Sequence, residues 1–67
     1  MTQCQRIMAH LTMYGEITAA EAMDRYGVAR LAARIADLRE QGHDIKTTKR
    51  KSKNRYGRMV TYGVYTL

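Results

Sequence analysis

The chain has 67 residues, 45% of them hydrophobic, and carries 12 Lys and Arg against 6 Asp and Glu for a net charge of +6. At roughly 100–200 residues per domain this is one small domain, 1–67, with no room for separate substrate and cofactor lobes, and no run approaches the ~20 apolar residues of a membrane span. Cys4 is the only cysteine, which rules out an internal disulfide, and the N-terminal stretch lacks a signal-peptide pattern, so a protein of the reducing cytoplasm is expected.

In chain order, Cys4, Ile7, Met8 and Leu11 recur at i, i+3, i+4 and i+7, the spacing that lines one helical face. A first helix is expected from about Thr2 to Tyr14, with Thr2 as its cap and Gly15 ending it. Cys4 belongs to the apolar face, and no Cys or His at ligand spacing makes it a metal site. After a short extended Glu16-Ile17, the run Thr18-Ala19-Ala20-Glu21 has the form of a capping box, in which each end's side chain satisfies the other's backbone N–H. A second helix of about eight residues should begin there and stop at Gly27. Val28 opens a third periodic stretch, Leu31, Ile35 and Leu38, that ends at Gly42.

A short helix, a glycine turn and a longer helix make a helix-turn-helix, about 18–41, whose second helix normally enters the DNA major groove. With Leu31, Ile35 and Leu38 turned to the core, Arg30, Ala33, Arg34 and Asp37 fall along one side edge. Arg reads guanine or clamps phosphate, and Ala permits close approach to a thymine methyl, so Arg30, Ala33 and Arg34 are candidate DNA contacts. An Arg34–Asp37 ion pair on a solvated surface is the competing account of those two residues.

Beyond Gly42 the 3.6 period is lost. Asp44–Lys49 is rich in β-branched residues, and Met59–Leu67 is β-branched and aromatic nearly throughout, so the two should pair as a hairpin, about 44–67. Polar Arg50–Arg58, with Asn54 and Gly57, is expected as its long loop. Both alternating sets of the second strand are apolar, and Tyr65 and Leu67 are taken as the inward pair. Charge is concentrated here: residues 1–45 hold five arginines against six carboxylates, whereas residues 46–67 hold seven basic residues and no acid. Such a segment repels itself unless a polyanion lies beside it. Lys49, Arg50, Lys51, Lys53, Arg55 and Arg58 are therefore candidate phosphate contacts, with Arg55 at the tip suited to a narrow A·T minor groove. Tyr56, beside the turn glycine, is expected to prop the loop.

Three helices followed by a basic hairpin, with Glu16-Ile17 as a short third strand, is an α+β winged helix-turn-helix plan. The chain resembles the small winged helix-turn-helix domains encoded by phages and prophages. The resemblance rests on Ile17-Thr18-Ala19-Ala20-Glu21-Ala22, on Tyr26-Gly27, on Arg30-Leu31-Ala32-Ala33-Arg34-Ile35-Ala36-Asp37-Leu38-Arg39, and on Gly42 and Ile45. It spans nearly the whole chain and departs mainly in a longer, more basic hairpin. It implies a double-stranded DNA partner and a transcriptional role in a bacterial host, on the nucleoid when bound. A different class of function, docking of the basic face on an acidic host protein, uses the same charges.

Enzymatic chemistry finds no footing. Neither His10 nor His43 has partners at metal or triad spacing, the five glycines are scattered at element ends, and no cofactor or metal is expected. Oligomeric state is left open, since helix 1 or the C-terminal strand would be the element to pair two copies.

Overall fold

The computed structural model describes residues 1–67. Thr2 and Gln5 form a reciprocal capping box, Thr2 N–H donating to Gln5 Oε1 at 2.8 Å and Gln5 N–H to Thr2 Oγ1 at 3.1 Å, and this starts helix α1, Gln3–Tyr14. The second box, Thr18 with Glu21, starts α2, Ala19–Tyr26, directly after strand β1, Glu16–Thr18. Gly27 ends α2 at φ +66°, a left-handed conformation that costs a side-chain-bearing residue but not glycine. Helix α3 runs Leu31–Glu40, and strands β2, Lys46–Lys53, and β3, Met59–Thr66, complete an antiparallel sheet in the order β1-β3-β2. No helix is long and apolar enough to cross a membrane.

The core is one cluster of Ile7, Leu11, Ile17, Ala22, Val28, Leu31, Ile35, Leu38 and Ile45, with Cys4, Met8, Tyr26 and Tyr65 packed at its margin. The face predicted for α1 is thus the packed one, as is the Leu31/Ile35/Leu38 face of α3. Val28 differs from expectation. It lies in the turn before α3, where its N–H donates to Ala22 O at 3.1 Å and its side chain joins the buried core cluster.

His10 is also buried, between α1 and α2. Its Nδ1 shares a 2.7 Å hydrogen bond with Tyr26 OH, its Nε2 lies 3.7 Å from Glu21 Oε2, and its ring packs on Tyr14 and edge-on against Tyr26. A polar group inside so small a core is tolerated only with a partner, so Tyr26→Phe should cost about 1 kcal/mol, read as a lower midpoint in urea unfolding.

Three expectations for the hairpin need correction. The basic run predicted as a loop is strand: β2 continues to Lys53, paired with Met59, and the turn is confined to Asn54–Arg58. Its inward face also differs, because Leu67 lies past the last paired residue, Thr66, and is half exposed. Tyr65 does pack against the core, opposite Ile17, while Val64 on the other sheet face is fully buried. Arg50 and Glu16 bridge that face from β2 to β1, and the register places Val64 beneath the bridge, between Thr66 and Tyr62.

β1 covers only Val64–Thr66 of β3, so from Gly63 outward the hairpin is a free two-stranded ribbon, and the molecule measures 39 × 22 × 20 Å. Asn54 organises its tip: Asn54 Oδ1 accepts from the N–H groups of Tyr56 at 2.9 Å and Arg58 at 3.1 Å, and Gly57 supplies the positive φ of a three-residue hairpin loop. Tyr56 is 81% exposed and props nothing. Asn54→Ala should cost about 1 kcal/mol and accelerate amide exchange of Arg58 while leaving exchange in α1 unchanged, a pattern NMR would resolve.

Candidate nucleic-acid interface

Strand alternation sorts the basic side chains of the wing onto two faces. Thr47 and Tyr65 mark the helix side, because Thr47 Oγ1 accepts from Arg39 of α3 at 2.9 Å and Tyr65 packs on the core. Lys49, Lys51 and Lys53 follow Thr47 at intervals of two and lie on that same side, opposite Gly63, Thr61 and Met59. All three are exposed and none makes an ion pair. Arg55 and Arg58 add two exposed charges at the turn. The outcome is a stripe of unpaired cations running outward from α3, on a strand whose outer edge has no neighbour.

Arg50 belongs to the opposite face. Its guanidinium donates twice to the Glu16 carboxylate, and those bonds and the carboxylate's charge push its pKa up. It lines a shallow groove with Tyr62, Val60 and the first turn of α2, and its charge is neutralised there.

On α3 the three candidates also separate. Arg30 precedes the helix, exposed and without any side-chain hydrogen bond. Arg34 donates from Nε to Asp37 Oδ2 at 2.9 Å and from Nη1 to Gln3 Oε1 at 3.4 Å, so it ties the helix to the start of α1. Ala33 is half-buried, and the more exposed small residues are Ala29, Ala32 and Ala36.

Sequence reasoning missed the role of Arg39. Its Nε and Nη2 both donate to Ile45 O, at 2.9 and 2.7 Å, and Nη2 also reaches Thr47. The guanidinium therefore fixes where the wing leaves the helical body. The only available signal was its i+4 offset from Ile35 on the flank of the core face.

The remaining polar groups assemble no other centre: no group of three or more His, Cys, Asp or Glu is placed to hold a metal ion. An exposed helix after a glycine turn, beside a ribbon whose near side carries free lysines, is the geometry of a DNA-binding surface. Neither the curated proteins nor the solved structures yield a match to the chain. A family profile described as a winged helix-turn-helix domain matches residues 2–67, from the cap of α1 through β3, and the chain belongs to that DNA-binding family.

Proposed function

We propose that this chain, acting as one winged domain, binds double-stranded DNA with α3 in the major groove and the wing along the adjacent backbone or minor groove. The observation that carries the reading is the side of the wing on which Lys49, Lys51 and Lys53 lie: it is the side of α3, so one duplex reaches both. Arg55 and Arg58 extend the charged track, and Arg55 at the tip is the side chain suited to a narrow minor groove. Arg30 meets base edges. We assign Arg34 and Arg50 to holding the scaffold rather than the DNA, because Asp37 and Glu16 already occupy them.

The resemblance to phage and prophage domains supports a transcriptional regulator acting in a bacterial cytoplasm, on the nucleoid when bound. No cofactor enters this mechanism. Affinity comes from displacing counterions, so log affinity should fall with log salt at about −0.9 per phosphate, and four to six contacts give a slope of about −4 to −5. A titration of a labelled duplex over a range of salt measures it. A slope near zero would sink the DNA reading and leave docking on an acidic host protein as the role of the basic face.

A further inference from the structure

If α3 lies in the major groove, the residues at its N-terminal end and on its outward side meet the base edges. Those positions are Ala29, Arg30, Ala32, Ala33 and Ala36. Alanine has no side-chain donor or acceptor, so four of the five are unable to read the hydrogen-bonding pattern that distinguishes base pairs. The arginines of α3 at other positions are committed elsewhere. Arg34 is held by Asp37 and Gln3, and Arg39 by Ile45 O and Thr47. An exposed ion pair such as Arg34–Asp37 opens easily in isolation. Beside DNA, opening it costs more, because releasing Arg34 leaves the Asp37 carboxylate unneutralised near phosphates. Glu40, exposed at the C-terminal end of the helix, lies away from the N-terminal end that meets base edges and repels the backbone.

We propose that this protein discriminates weakly among DNA sequences: its wing supplies affinity for duplex in general, and its base preference rests on Arg30 alone. This deepens the DNA-binding reading and depends on it. A single bidentate arginine–guanine contact gives discrimination on the order of 10- to 100-fold, whereas specific regulators exceed their own non-specific binding by about 10³- to 10⁷-fold. The chain should fall at or below the first range. It would then act by coating or shaping control DNA, with site choice left to DNA shape.

The test is selection from a random duplex pool at about 50 mM salt, with sequencing of the bound fraction for the native chain and for Arg30→Ala, Arg34→Ala and Asp37→Ala. Steep salt dependence is expected, with a hydrogen-bonded base preference confined to one or two base pairs and abolished by Arg30→Ala, a substitution at an exposed position that makes no cap bond, beside at most a bias toward A·T tracts that Arg30→Ala leaves in place. Arg34→Ala should lower thermal stability only slightly, since its contacts are exposed, and leave the preference unchanged. Asp37→Ala should raise affinity several-fold and add a guanine preference that the native chain lacks, because it frees Arg34. A motif of four or more base pairs other than a plain A·T tract, or one that Arg34→Ala abolishes, overturns the inference while leaving DNA binding intact. Absence of binding to any duplex overturns the DNA reading and this inference together.

Discussion

Replacing Lys49, Lys51 and Lys53 together by Gln is expected to lower duplex affinity by about two to three orders of magnitude at about 0.1 M salt, and to make the salt slope shallower by about 2.7. The figure follows from counterion release: each phosphate neutralised contributes about 0.9 to the slope, so at 0.1 M it carries roughly an eightfold share of the binding constant, and three shares multiply. The fold should survive, since all three side chains are exposed and touch no acid. Lys46→Gln is the internal control. Lys46 alternates onto the same sheet face as Arg50, away from the α3 side, so its loss should leave the slope unchanged. Equal losses from the triple variant on every duplex tested would fit lysines bound to phosphate rather than to bases. An unchanged slope in the triple variant would mean that the wing does not lie on DNA.

The helices were legible because their signals are local. Ile7 and Leu11, then Leu31, Ile35 and Leu38, repeat at helical spacing and form the observed core, and the Thr18–Glu21 box marks the start of α2 from four adjacent residues. The extent of the wing was not legible, because residues 50–53 are exposed on both faces of the ribbon and carry no apolar alternation to betray a strand. The inward face of β3 was ambiguous for a related reason: both parities are apolar, and Tyr65 packs on the helical core while Leu67, one residue past the paired segment, does not. The candidate site divides along the same line. Which residues are basic is plain from the sequence. Which of them are free depends on contacts across the chain, 31 residues between Gln3 and Arg34 and 34 between Glu16 and Arg50, and no local pattern announces them. Much of the run from Arg30 to Arg39 that carries the family resemblance proves to do structural work, so it announces the fold more strongly than it announces what the fold binds.

Arg39→Met is expected to lower stability by about 2 kcal/mol, on the order of 10 °C in Tm, and to loosen the wing relative to α3. Methionine keeps the aliphatic length along the flank of α3 and removes the guanidinium. Ile45 is a core residue at the point where the chain leaves the helical body for β2, and its carbonyl accepts two charge-assisted bonds from Arg39. Without them that oxygen must find water at the edge of a packed cluster, and Thr47 loses its tie to the helix. Arg39→Lys retains the charge but not the fork, so it should recover about half the loss. The consequence for binding separates this residue from the lysines of the wing. Arg39→Met should weaken duplex affinity while leaving the salt slope unchanged, because every phosphate contact is still available and only its pre-positioning is lost. A slope that falls by about one would instead make Arg39 itself a phosphate ligand, and its bonds to Ile45 would then have to break on DNA.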